Sequence, residues 1–280
     1  MASRLVSSSA AVHPTAIVEN GAVIGEGCRV GPYSVIGDKV RLGAGNQIAS
    51  HVVISGRTVL GDGNRIFPFA VIGSPPQDLK WQGEESLLII GDRNIIREYA
   101  TLQPGTAAGA GRTVVGNDTL LMAHSHVAHD CRVGSHVHLV NSATLGGHVD
   151  IDDGAILSGL CAIHQFVRIG RLAFVAGGAM VAQDVPPFCT VQGDRARLAG
   201  LNLVGLTRAG MPAGDIRSLK AAYRMLFLAA GPLPERLKSV RDHFPDNGAV
   251  GELAAFVAAS HRGVALPRRT GARDAGSGTE

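Results

Sequence analysis

Nowhere does this chain offer the roughly 18 unbroken apolar residues that a membrane-spanning helix needs, and Met1-Ala-Ser-Arg-Leu-Val-Ser-Ser-Ser lacks the apolar centre of a secretory leader. No stable membrane insertion is expected. The four cysteines, Cys28, Cys131, Cys161 and Cys189, form no C-x-x-C pair, which argues against a zinc ribbon or a dithiol redox motif and for a reducing, cytoplasmic setting. Aromatic residues make up 4%, too few for a core filled with large rings, whereas 37 glycines suit repeated tight turns. Charge is also nearly balanced, at a formal +3 with the arginines dispersed, so nucleic acid is not the expected partner.

What the chain has is a six-residue ladder. Stepping by six from Val12 gives Val18, Ile24, Val30, Ile36, Leu42, Ile48, Ile54, Leu60, Ile66 and Ile72, all aliphatic. The phase resumes at Ile90, Ile96 and Leu102, and a second run extends from Val115 to Val181. A period of six fits neither a helix nor a flat strand and matches the hexapeptide repeat of a parallel β-helix. Three hexads make one coil, residues 18 apart stack at about 4.8 Å, the first-position aliphatic points inward, and the frequent following glycine relieves the bend.

Two stretches break the ladder. Residues 73–89 preserve its phase, residues 104–114 shift it by one, and both are expected to bulge from the prism as loops, where function tends to sit. Residues 1–190 are thus read as an all-β β-helix, residues 191–263 as a small C-terminal α-helical domain with helical spacing from about Asp215, and residues 264–280 as a disordered Arg-, Gly- and Ser-rich tail.

Seven of the eleven histidines fall between positions 124 and 164. The 18-residue ruler aligns His148 with Asp130, Gly147 with His129, and His164 with Gly146 and Ala128, so His129/Asp130, Gly147/His148 and His164/Gln165 form one narrow ridge on successive coils. Gln103 falls one coil before Ala128 in the column of His164. A His beside an Asp, with a glycine N–H above it, suits acyl transfer to a hydroxyl, with base, orienting carboxylate and oxyanion donor in place. Two other readings stay open. The histidines can simply cap strands, or His124-x-His126 and His136-x-His138 can each present two imidazoles to a metal, as in a trimeric zinc hydratase of the carbonic-anhydrase type.

The segments VHPTAIVE, SHVV, Gln77-Asp78-Leu79-Lys80, IGDRNIIRE, LLMAHSHVAHDC, NSATLGGHV, AIHQF and VAQDVPP, spread over residues 6–262, resemble those of the UDP-N-acetylglucosamine 3-O-acyltransferases of lipid A biosynthesis. The resemblance implies a left-handed coil, a homotrimer with its site between subunits, and transfer of a (3-hydroxy)acyl chain from acyl carrier protein to the sugar 3-hydroxyl. The co-substrate carries its acyl chain on phosphopantetheine, and no resident cofactor or metal is implied. By the same resemblance His129 is the general base, Asp130 its orienting carboxylate and the Gly147 N–H the oxyanion donor. His126, His148, His164 and Gln165 line the cleft, and Gln77, Asp78 and Lys80 reach in from the first loop. Gly177 lies along the acyl groove, and Asn202 and Arg208 contact the nucleotide.

Two positions depart from that pattern. Gln103 stands where the family usually has His, and Val204 where it usually has Glu. An amide-forming enzyme acting on a UDP-3-amino sugar is the neighbouring alternative, and a non-catalytic trimeric scaffold the more distant one.

Overall fold

The computed structural model describes residues 5–268. Its main body is a three-faced prism of short parallel strands, in sheets of nine, eleven and nine strands. Each coil visits the three faces in turn, as in Val23–Ile24, Arg29–Val30 and Val35–Ile36. The register is the predicted one, with Arg132 opposite Asp150 and Val133 opposite Ile151 on the next coil. Every ladder residue from Ile24 to Val181 is at most 3% exposed, so the aliphatic at position one fills the interior throughout. Complete burial of each such side chain contributes roughly 1.5–3 kcal/mol.

The glycines serve a different purpose from the expected one. The bend falls at the fourth position of the hexad, which is left-handed whether or not it is glycine, as at Gly27 (φ 64°), Asp130 (φ 59°) and His148 (φ 61°). Glycine at the second position answers a close approach between coils instead. A Cβ on Gly25 would lie 2.4 Å from the Gly43 carbonyl oxygen. At the fifth position, mostly small or β-branched, Asn46, Asn64 and Asn94 form a buried ladder. The Asn64 Nδ2 and N–H donate to Asn46 Oδ1, both at 2.9 Å, and the Asn94 N–H donates to Asn64 Oδ1 at 2.9 Å.

Both insertions leave from the same corner, between the third and first faces. Across the first, stacked residues such as Asn64 and Asn94 are 30 apart; across the second, Asn94 and Thr119 are 25 apart, against 18 elsewhere. The excess of twelve is two whole hexads, which keeps the phase, and the excess of seven shifts it by one. The loops are shorter than expected, because Leu87–Ile90 and Arg112–Val115 are strands. With Arg57–Leu60 they form a continuous ladder of four-residue strands whose alternate side chains turn inward.

The β-structure also runs past residue 190. Cys189–Gln192 adds to the second face and turns back as an antiparallel strand, Arg197–Leu201. Four helices follow: α1 (Leu203–Arg208), α2 (Ala213–Tyr223), α3 (Leu233–His243) and α4 (Gly248–Ala258). A π-helical turn, Arg224–Leu228, extends α2, and Leu219, Ala222, Leu226, Val240 and Leu253 make the core of the helical part, each 0% exposed. The short α1 has no apolar periodicity to announce it. The expected disordered tail begins as an ordered strap: Val264 and Ala265 are buried, and Ala265 donates its N–H to the Asp184 carbonyl at 2.9 Å. The remainder of that tail, from 269, lies outside the described residues.

Candidate active site

Position in the hexad decides which side chains meet. His129 and Asp130 are third and fourth in their hexad, at the corner where the two insertions emerge, so both loops fold back over them. The Asp130 side chain is fully buried (0% exposed) and His129 Nδ1 lies 2.9 Å from its Oδ2. Thr106, in the second loop, donates its hydroxyl to Asp130 Oδ2 at 2.7 Å and its N–H to both carboxylate oxygens at 3.1 Å. Burial pushes the carboxyl upward, but the hydrogen bonds from Thr106 and His129 outweigh it and hold Asp130 below the usual carboxylate range. An ionised, fixed carboxylate on Nδ1 keeps the Nδ1 proton in place and leaves the other ring nitrogen, Nε2, as the basic lone pair.

Gly147 sits directly against that ring. A Cβ there would be 2.5 Å from His129 Cε1 and 2.6 Å from Nε2, so only glycine admits the imidazole. The neighbouring N–H groups of Gly146 and His148 donate to Ile163 and His129 carbonyls, while that of Gly147 has no acceptor among the described residues. The residue packed against the basic nitrogen thus carries a free N–H. Asp78 Oδ2 from the first loop is 4.0 Å from His129 Nε2, and its Oδ1 accepts the Lys80 N–H at 3.0 Å. Gln77 and Lys80 are exposed on that loop.

His148 stacks on Phe166 at 4.4 Å and meets His129 edge-on at 5.1 Å. His126 lies within 2.7 Å of Thr101 Oγ1 through Nδ1. Burial lowers the pKa of both, and for His126 the neighbouring His129 lowers it further, so both favour the neutral ring. Gln103 is 5% exposed and its Oε1 has no hydrogen-bond partner. His164 and Gln165 are exposed at the next coil of the same ridge.

The other expected residues lie elsewhere on this chain. Gly177 is at the corner between the second and third faces, beside the Gly159 carbonyl. Asn202 caps α1, accepting the Gly205 N–H at 3.0 Å, and its Nδ2 donates to the Leu172 carbonyl at the corner between the first and second faces. Arg208 is exposed in the last turn of α1, on which Val204 is also exposed. Sequence reasoning missed Thr106 and Gly109, which shape the Asp130 pocket: a Cβ on Gly109 would meet that carboxylate at 2.4 Å. The signal was present as a threonine within the Gly-rich insertion nearest the ridge. Arg262 was also missed; its Nη2 is 2.8 Å from His164 Nδ1.

The paired imidazoles of the alternative metal reading do not form. His124 and His136 occupy left-handed corners, with His124 stacked on Tyr99, whereas His126 and His138 lie on strands. Among the described residues, His129, Asp130 and His148 alone bring three ligating atoms within 4.8 Å of one another. There Asp130 Oδ2 already serves Thr106 and His129.

Comparison with known proteins matches residues 184–265 to the model for "Udp N-acetylglucosamine O-acyltransferase; Domain 2", and residues 21–56 and 112–147 to the bacterial transferase hexapeptide. The acyl-[acyl-carrier-protein]–UDP-N-acetylglucosamine O-acyltransferase of Anaeromyxobacter dehalogenans is 49% identical over 254 residues, covering 91% of this chain and 99% of its own. That of Sulfurovum is 48% identical, covering 93% and 99%. Among solved structures, the UDP-N-acetylglucosamine acyltransferase from Campylobacter jejuni superposes with a TM-score of 0.87 at 35% identity, over 92% of this chain and 100% of that one.

Proposed function

From the premise that this chain belongs to the acyl-[acyl-carrier-protein]–UDP-N-acetylglucosamine O-acyltransferase family, we propose how its residues perform the transfer. The protein moves an acyl chain from acyl carrier protein to UDP-N-acetylglucosamine in lipid A biosynthesis. The observation that carries the assignment of roles is His129, held on Asp130 by Nδ1, with Gly147, whose N–H is unpaired among the described residues, packed against its ring.

His129 Nε2 removes the proton from the sugar 3-hydroxyl as its oxygen attacks the thioester carbonyl. The tetrahedral oxyanion takes the Gly147 N–H, and Asp130 stabilises the imidazolium. Collapse breaks the C–S bond, and the departing phosphopantetheine thiolate recovers the proton from His129. The product is an ester and free carrier thiol, and no resident cofactor is required. His126 and His148, neutral and partly buried, line the cleft as hydrogen-bonding groups. Asp78, Lys80, Gln77, His164 and Gln165 surround it, and Gln103 Oε1 offers a buried acceptor to a substrate N–H or O–H.

Asn202 and Arg208 lie near one corner, Gly177 at another and His129 at the third. This separation supports a homotrimer in which the base and the nucleotide and acyl contacts come from different copies. Among the described residues no helix is long and apolar enough to cross a membrane.

The test is purified protein with UDP-N-acetylglucosamine, its 3-amino analogue and acyl carrier proteins of graded chain length. Wild type is expected to form the ester, and His129→Ala to lose about 10²–10⁴-fold in kcat with KM little changed. Full turnover by that variant would remove the base from the scheme.

A further inference from the structure

The last coil of the prism is gripped by the strap that follows α4. Asp184, 1% exposed, accepts the Arg168 N–H at 2.9 Å through Oδ1 and the Ser260 hydroxyl at 2.8 Å through Oδ2. Its own N–H donates to the Gly263 carbonyl at 3.0 Å, and its carbonyl accepts the Ala265 N–H at 2.9 Å. Arg262 is therefore presented from a fixed backbone. Its guanidinium makes two contacts with different parts of the ridge: Nε donates to the Ala182 carbonyl at 2.7 Å, and Nη2 lies 2.8 Å from His164 Nδ1.

The second contact constrains the proton on the imidazole. Nδ1 of His164 is also 3.0 Å from the Gln165 carbonyl oxygen, a contact that requires a proton on Nδ1. A guanidinium has only donors, so its contact requires a lone pair there. One nitrogen cannot meet both demands. The charge-assisted bond from Arg262 is the stronger kind and here also the shorter, so Nδ1 is the acceptor and the ring proton sits on Nε2.

We propose that Arg262 is a positioning residue that fixes His164 in its Nε2–H form, making it a neutral hydrogen-bond donor to a substrate oxygen, and not a base or an acceptor. The assignment of His164 to the substrate cleft rests on the function proposed above; the tautomer does not. It also ties the end of the helical part to the reaction, across a sequence separation of 98.

Two measurements on the full chain test this. In long-range ¹H–¹⁵N spectra of histidine-labelled protein, His164 of wild type is expected to carry an unprotonated Nδ1, and in Arg262→Met to change to the Nδ1–H form facing Gln165. A protonated Nδ1 in wild type, or an unaltered tautomer in Arg262→Met, overturns the proposal whatever the protein acylates. In turnover assays Arg262→Met should lower kcat/KM about tenfold, Arg262→Lys less, and Arg262→Met should cost nothing further in a His164→Gln background. Equal losses in both backgrounds would mean that Arg262 acts through something other than His164. If wild type turns over none of the offered substrates, the functional reading fails while the spectra still decide the tautomer.

Discussion

Two small residues set the geometry of the reacting groups. Gly147 leaves room for the His129 ring, and a methyl group there would overlap it at 2.5 Å, so the ring would have to move. Gly147→Ala is expected to fold, since the three atoms nearest the added methyl all belong to the His129 side chain and none to the backbone, but to displace the imidazole and lower kcat at least about 100-fold, a loss of the size that follows from misplacing a base by an ångström. Circular dichroism together with turnover separates the two effects. Thr106 acts on the other side of the dyad. Asp130 is held below its unfolded pKa, so its contribution to stability is present above the ordinary carboxylate range and is lost as pH falls through the depressed value. Thr106→Val removes a donor, raises the Asp130 pKa, and should move the acid-unfolding midpoint to higher pH; carboxyl-carbon NMR of Asp130 reads the same change directly. At this scale the sequence revealed the histidines, Asp130 and Gly147, because residues of the same column recur every 18. It was silent on Thr106, Gly109 and Arg262, since a loop and a strap obey no period.

At the scale of the element, the hexad is a set of positions with separate tasks. The first is packing and was fully legible, from Ile24 to Val181. The second is an approach distance, legible as glycine but for a different reason, because a carbonyl of the neighbouring coil is visible only once coils are stacked. The fifth carries the asparagine ladder, whose middle rung both donates and accepts. Asn64→Ala should therefore cost about 1–3 kcal/mol, because it strips the buried Asn94 N–H of its acceptor. A lowered midpoint in urea at constant slope is the expected result, and an unchanged midpoint would mean that the ladder contributes nothing beyond filling space. Strand edges around the insertions were misplaced because Leu87–Ile90 and Arg112–Val115 pair with one another, a long-range fact that no local pattern reports.

For the whole molecule, the three corners carry three different sets of candidate residues, and one chain cannot bring them together across a solid prism. Light scattering is expected to give three times the mass of the chain, with turnover falling on dilution below the dissociation constant of the trimer. A monomer at full activity would leave Gly177, Asn202 and Arg208 without the roles assigned to them. Legibility also declines along the chain. The prism was readable because repetition multiplies a weak signal, whereas α1 and the ordered strap at 259–265 each occur once and owe their structure to contacts with the prism.

The manner in which the prism ends has a further consequence. At the helical end each sheet meets the chain's own return: Val185 bridges to Ile169, the second sheet ends on the antiparallel strand 197–201, whose Leu198 N–H is taken by the Leu266 carbonyl, and the Met180 N–H and carbonyl are taken by Gly193 and Ala196. Phe188, 0% exposed, lies in the core beside them. A stack of identical strands is otherwise a template for its own extension, the arrangement on which amyloid fibres grow. Fibre growth by head-to-tail stacking requires two receptive ends on every molecule. With one end consumed by its own chain, this protein can be built of fibre-like coils and still terminate polymerisation at a single unit.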